Sequence, residues 1–286
     1  MEWLEPIVGL LTRFPEIWPR ILLTDTARYF VFAAPAALLI ALAGGRASRW
    51  RIQNRRPGLR DRRREIGFSL LTAIVFSLNG FFLVYGLDWL GLAELRSGNC
   101  ALTITIETVV LIVLHDAYFY WMHRALHWRP LFRAAHVTHH RSRTPSPWAA
   151  YAFAPLEALL EAAFLPIALL AAGGLETVSI SIFIVHMMAR NVMGHCGHEF
   201  LPRRWVNWPL TRWLTTPTHH DIHHELGRWN YGLYFTWWDR WMNTEHPAYP
   251  ERFRAAAAGR ATKPGPPSET GLTELLRRSI IGWWSG

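Results

Sequence analysis

Five stretches of this chain are long and apolar enough to put in question whether water is its solvent. They run from Tyr29 to Gly44, Ile66 to Gly86, Leu102 to Met122, Phe153 to Ala172 and Val178 to Met193. In hydrocarbon no water satisfies the peptide groups, so each stretch is confined to a helix that closes its own hydrogen bonds. About 20 residues of helix cross a bilayer. The first stretch is short for a span and reads equally as a helix lying in the interface. The expected fold is therefore all-α, an integral membrane bundle of four to five spans. Composition agrees: 51% of the 286 residues are apolar and 16 are Trp, a residue that favours the boundary between lipid and water. The N-terminus carries Glu2 and Glu5 and lacks a basic start, so no cleavable signal peptide is expected.

Charge orients the bundle. Nine arginines stand against one aspartate between Arg46 and Arg64, a bias that belongs on the cytoplasmic face. The next span leaves the cytoplasm, the segment from Leu87 to Ala101 lies outside, and the third span returns. The fourth and fifth form a hairpin through Ala171-Ala172-Gly173-Gly174. The net charge of +9 does not call for nucleic acid, because much of the excess lies in this one juxtamembrane loop, where anionic headgroups attract it. Lys263 is the sole lysine. Cys100 and Cys196 fall on opposite expected sides and lack CxxC spacing, so neither a disulfide nor a thiolate metal site is expected. The expected location is a bacterial inner membrane, multi-pass, with the active site facing the cytoplasm.

Fourteen histidines occur, and most gather in four clusters: His123 and His127; His136, His139 and His140; His195, with Asn191 four residues before it; and His220, His223 and His224. At a histidine frequency of about 0.05, a chance HxxHH is expected roughly 0.03 times in this chain, yet two are present. An i, i+4 pair offers two ring nitrogens to one ion from consecutive helical turns. In HxxHH the extra ring, adjacent to its neighbour, cannot easily join the same ion but reaches a second, so two such boxes point to a two-metal centre. All four clusters map to the cytoplasmic ends of the spans, in a helical cap carrying the histidine-rich site. Imidazole-dominated ligation suits iron, zinc, copper or nickel and argues against magnesium or calcium. A redox metal in a membrane attacks lipid C–H bonds, which zinc does not, and this favours iron.

The order HxxxH, HxxHH, HxxHH, with the segments Asp116 to Arg124, Asn191 to Gly197, Asn230-Tyr-Gly and Trp238-Asp-Arg, resembles the fatty acid hydroxylase/sterol desaturase superfamily. The stretch from Thr144 to Glu157 resembles its sterol C-5 desaturase branch. The resemblance runs from about Asp116 to Thr244. It implies a non-haem di-iron enzyme that uses O2 for C–H hydroxylation or desaturation of a sterol-like or fatty-acyl membrane lipid. It also implies electrons from a separate transfer protein, a cytochrome, ferredoxin or reductase. The implied ligands of two Fe2+ ions are His123, His127, His136, His139, His140, His195, His220, His223 and His224. Asn191 stands where many hydroxylases have a histidine, and binds through its amide oxygen or supports a ligand.

Other polar residues are expected behind the ligands. Asp116, seven residues before His123 on the same helical stripe and inside the bilayer, is expensive to bury, so pairing with a ligand imidazole is expected, and Asp239 could play the same part. His198 is expected to face substrate or support a ligand. His115, His186, His219 and His246 are expected to be structural. A non-redox zinc protein is the competing reading. A transporter would place its ligands at the bilayer midplane, and a hydrolase needs a general-base Glu, for which Glu199 and Glu225 are the near candidates. Three regions are expected: an N-terminal membrane region with the basic loop over 1–100, a catalytic domain over 101–250, and a linker with a short interfacial helix over 251–286. The linker is expected from Ala255 to Ser268 and the helix to end in Trp283-Trp284.

Overall fold

A computed structural model describes residues 4–98 and 100–259. Five of its helices are long and apolar enough to cross a membrane: Glu5–Trp50, Leu59–Trp89, Ala101–Leu126, Pro155–Ala172 and Thr177–Gly194. The first corrects the expected Tyr29–Gly44 segment. Helix α1 runs over Glu5–Ala47, 43 residues, with Pro15, Pro19 and Pro35 inside it, and kinks near its end where Gly44 turns to φ 50°. No interfacial helix of one short stretch is present there. Its outward face is hydrocarbon: Leu39 is 67% exposed and Leu42 75%. A patch of that size in water would be covered by a partner; here lipid covers it. The chain is a multi-pass membrane protein.

Helix α2 (Leu59–Asn79) starts where the Asp61 carboxylate accepts the Gly58 N–H at 3.0 Å. It passes through a π-helical turn over Gly80–Tyr85 into α3 (Gly86–Trp89). α1 and α2 are antiparallel. The Trp89 indole donates to the Pro6 carbonyl at one end, and the Trp18 indole to the Ser77 hydroxyl further in. After α3 comes strand β1 (Glu94–Arg96), then α4 (Ala101–Leu126). Short helices α5 (Arg129–Leu131) and α6 (Val137–His140) are joined by a π turn over Phe132–His136. The hairpin consists of α7 (Pro155–Ala162) and α8 (Phe164–Ala172), then β2 (Gly174–Glu176) and α9 (Thr177–Gly194). Gly173, at φ 67°, ends α8 in the left-handed conformation that glycine adopts without cost to a Cβ. α10 (Pro217–Leu226), α11 (Trp237–Trp241) and α12 (Tyr249–Ala257) follow.

The expected all-α fold holds but for one ribbon. β1 and β2 pair in parallel, Glu94 opposite Gly174 and Arg96 opposite Glu176. Arg96 also pairs with Glu107 on α4, and the Glu107 carboxylate accepts the Glu176 N–H at 2.9 Å. The ribbon therefore binds the loop before α4 to the loop before α9. Both helices leave it in the same direction, with the Ser179 hydroxyl donating to the Ile104 carbonyl near their starts. Leu111, Phe164, Ile180 and Phe183 pack between them. At 1.5 Å per residue α4 is about 39 Å long, so its histidine end and the ribbon end lie on opposite sides of a bilayer.

The arginine-rich loop closes over the histidine end. Gln53 donates to the Arg143 carbonyl and to Asp221, both at 2.8 Å, and Arg64 donates to Ser142 at 3.1 Å. The Pro147–Tyr151 turn is hung from two spans, since the Trp148 carbonyl accepts both the Tyr29 and the Ser69 hydroxyls at 3.0 Å. At the C-terminal side, Tyr249 and Phe253 of α12 pack on Ile222 of α10. The region boundary expected at 250 and the linker expected from Ala255 thus fall inside or at the end of a packed helix. The rest of that linker and the Trp283-Trp284 pair lie outside the described residues. One consequence is testable by impermeant thiol labelling of single-cysteine variants. Cysteines at Arg141 and Arg228 react from one side of the membrane, and the native Cys100, at the ribbon end, reacts from the other.

Candidate metal centre

Four elements bring nine imidazoles together at the end of the bundle. α4 presents His123 and His127 one turn apart. The π turn and α6 present His136, His139 and His140, the end of α9 presents His195, and α10 presents His220, His223 and His224. Local sequence makes α10 a short, sharply bounded helix. Thr216 accepts the His219 N–H at its start, Pro217 fills the first turn, and Gly227 at φ 69° ends it. The rings divide into two sets. His123, His127, His136, His140 and His223 form one, and His139, His195, His220 and His224 the other, with the ligand atoms of each set within 4.8 Å of one another. In each HxxHH the first and last rings share a set, and the middle ring crosses to the other.

The hydrogen bonds behind the rings fix which nitrogen points inward. His123 donates from Nδ1 to the Tyr231 carbonyl at 2.9 Å, His223 to Trp229 at 2.7 Å, and His195 to Asn191 at 2.8 Å. His136 donates from Nδ1 to the Glu157 carboxylate at 2.6 Å. With the proton on Nδ1, each Nε2 is a bare lone pair. The inward nitrogens converge: the bare Nε2 atoms of His123 and His136 are 3.1 Å apart, and those of His223 and His195 lie 3.0 Å from the Nε2 atoms of His140 and His220. Acceptors aimed at acceptors repel, and a cation between them removes the repulsion, so the residues fit a metal in each set. Burial first, and then the neighbouring imidazoles, hold His136, His140, His220, His223 and His224 well below the usual histidine range. His127 is pushed down to about 2 and His195 to about 4, in both chiefly by burial. The neutral ring is the form that binds metal.

The aspartates support the centre differently from the pairing expected of them. Asp116 touches no ligand imidazole. Seven residues before His123 it lies about 10.5 Å away along the helix, and its carboxylate accepts the Tyr234 and Phe235 N–H groups and the Trp237 indole. Asp239 likewise accepts the Tyr231 and Gly232 N–H groups at 2.8 Å, and its nearest imidazole is His219, at 3.4 Å, which belongs to neither set. Both carboxylates brace the segment whose Tyr231 carbonyl holds His123. The fit there is close: a Cβ on Gly232 would meet the Phe235 carbonyl at 2.5 Å and Asp239 at 2.9 Å. His198 donates to the Cys196 carbonyl, away from both sets. His115 bonds the Tyr234 hydroxyl at 3.0 Å. Asn191 is buried beside the four-ring set, with its backbone carbonyl on His195 and its side chain on a cavity wall.

Glu157 is the functional residue that the sequence reading passed over. It lies in an apolar run, in a stretch already assigned to a span. An ionisable group in such a run is by default a functional candidate, and that signal was available.

Below the histidines lies a mostly apolar cavity of about 460 Å³, walled by α1, α2, α4, α7, α8 and α9. Besides Asn191, whose carbonyl holds His195, two of its wall residues touch the centre. The Phe119 ring is 4.9 Å from that of His123, in the five-ring set, and the Phe153 ring is 5.0 Å from that of His139, in the four-ring set.

A membrane bundle with two buried sets of imidazoles above an apolar cavity fits a membrane protein that holds metal beside room for an apolar molecule. The fatty acid hydroxylase family model matches residues 108–244. The chain is 30% identical to the methylsterol monooxygenase erg25B of Aspergillus fumigatus over 82% of this chain and 79% of that one. It is 28% identical to the Delta(7)-sterol 5(6)-desaturase ERG3B of Gibberella zeae over 52% and 44%, and 30% identical to human lathosterol oxidase over 62% and 59%. For these last two the chain spans less than two thirds of the relative's length. No solved structure matches significantly. The chain belongs to the fatty acid hydroxylase family, in the superfamily that holds the sterol desaturases, and is an O2-dependent lipid oxidoreductase. The outer carboxylate gives a direct test. Glu157→Ala is expected to weaken metal binding about 10- to 100-fold, and His140→Ala or His224→Ala to remove at least one metal outright, read as metal per protein after gel filtration.

Proposed function

We propose that this protein is a di-iron enzyme that hydroxylates or desaturates a membrane lipid, sterol-like or fatty-acyl, with its active site on the cytoplasmic side. The observation that carries the reading is the apolar cavity whose walls touch one ring of each histidine set. The nine imidazoles hold two Fe2+ ions, and the arginine-rich loop beside them marks the cytoplasmic face. Bound iron supplies the activation of O2 and the removal of hydrogen from an unactivated C–H bond. Hydroxylation consumes the substrate, one O2, two electrons and two protons and yields the alcohol and one water; desaturation yields the alkene and two waters. The electrons come from a separate transfer protein.

The chain's own residues have definable tasks. The Nδ1 bonds of His123, His136, His195 and His223 keep their inward nitrogens unprotonated and aimed. Phe119 and Phe153 exclude water between cavity and metal, and their faces guide the hydrocarbon to it. Asn191 completes the smaller set: five imidazoles stand on one side and four on the other. Its side-chain amide forms no hydrogen bond among the described residues, and it lies one turn before His195. The two carboxylates that a hydrolase would need are engaged elsewhere. Glu199 accepts the Thr218 N–H and hydroxyl, and Glu225 pairs with Arg252.

Two measurements test this reading. Protein prepared with iron supplied is expected to hold two irons and to consume O2 when a chemical reductant and a lipid extract are added. Zinc alone, with no O2 uptake in the iron-loaded protein, refutes it. For Asn191, the Leu variant is expected to lose metal from the four-ring set and the His variant to retain it. Full iron content in Asn191→Leu removes Asn191 from the ligands.

A further inference from the structure

The cavity is apolar along most of its wall, yet it holds a group of polar side chains at membrane depth. Asp25 and Arg28 of α1 pair at 2.7 Å, with their side chains only 13% and 18% exposed. Glu161 of α7, one turn after Glu157, makes no hydrogen bond or ion pair among the described residues. Tyr151 is 1% exposed, and the Arg28 guanidinium beside its hydroxyl can only donate, so the hydroxyl hydrogen has no acceptor. All four line the cavity. A buried hydroxyl without an acceptor and a membrane carboxyl group without a donor are each costly, and together they describe a place for something that bonds them. Asp25 and Arg28 also lie outside residues 108–244, the segment that the family model matches.

The chemistry of the group selects the ligand. Arg28 is already matched by Asp25, which leaves Glu161 as a carboxyl group with no cation beside it. A carboxylate or phosphate head would find no unpaired cation there. A hydroxyl both donates and accepts, so it satisfies Glu161 through its hydrogen and Tyr151 through its oxygen. We infer that Tyr151 and Glu161, backed by the Asp25–Arg28 pair, form an anchor for the hydroxyl of an otherwise apolar lipid. This rests on the cavity being the substrate site. Glu161 lies four residues, about 6 Å, along α7 from the residue whose carboxylate holds His136. The anchor thus sits on the same short helix as the carboxylate that aims His136, and it sets which part of the lipid faces the histidines.

Binding, measured without turnover, tests the anchor. Metal-loaded protein in detergent is titrated with radiolabelled cholesterol, then with unlabelled cholesterol, its methyl ether and stearate as competitors. The wild type is expected to favour the alcohol over the ether at least tenfold and to bind stearate weakest. Tyr151→Phe and Glu161→Leu are each expected to cut the alcohol-to-ether ratio below threefold while metal content and ether affinity stay unchanged; Tyr151→Phe, which removes one oxygen, guards against loss of fold. A wild-type ratio below threefold, or a ratio that stays at threefold or above in both variants, overturns the anchor and leaves the oxidase reading standing. If none of the three probes binds the wild type, the cavity is not the lipid site, and the anchor falls with it.

Discussion

Everything in this protein is arranged around a repulsion. Imidazole Nε2 atoms, at least one of each pair a bare lone pair, face one another at 3.0–3.3 Å, in a buried site where unscreened dipoles interact strongly. Left alone, such rings would rotate to donate to one another. They do not, because the Nδ1 hydrogens of four of them are held by carbonyls and by Glu157. The outer bonds thus convert a polar cluster that would relax into one that attracts a cation. They do so with little formal charge, since Glu157 is the one carboxylate bonded directly to a ring of either set among the described residues. The metal's positive charge then remains largely uncompensated.

Holding that cluster requires the ends of α4, α6, α9 and α10 to be in register. The ribbon of β1 and β2 contributes from the far side of the membrane. By tying the loops before α4 and α9 together it fixes where both helices start, and their packed faces carry that register to His123 and His195. At the near side the 230–237 segment is fixed by two aspartates that never touch a ring. Asn230 takes a left-handed backbone at φ 59° and donates to the His219 carbonyl, a conformation that Asn tolerates better than most residues. His123, His195 and His223 are thus positioned by main-chain carbonyls, and the segment that supplies the first of these is itself held by buried side chains.

Much of this was legible in the sequence because it follows from spacing. The i, i+4 rows and the adjacent pair in HxxHH dictate that one ring leaves its helical stripe, and the observed 5 and 4 division follows that geometry. The convergence of boxes separated by up to 100 residues followed from charge and span counting. What was not legible depends on tertiary contact. Asp116 shares a stripe with His123, but a stripe says nothing about distance along it, and the partner is a loop more than 100 residues away. Helix α1 continues far past Tyr29 because proline is tolerated where neighbouring helices and lipid leave no alternative to helix. A hydropathy reading interrupted by Arg13, Glu16 and Arg20 underestimates its length.

The cavity and the metal centre share their boundary residues, and this has a mechanical consequence. Phe119 is one turn before His123 on α4, and Phe153 lies two residues before the first turn of α7, which carries Glu157. A lipid that moves either ring pushes on the same short elements that aim His123 and His136. Close-packed interiors transmit such displacements instead of absorbing them. With lipid in the cavity, as proposed, occupancy and the geometry of the rings are coupled by contact. An enzyme of this kind gains from that coupling, because O2 reduced without a hydrocarbon in place has only the protein itself to oxidise. The aromatic wall between cavity and metal, Phe119 on one side and Phe153 on the other, is where that coupling resides.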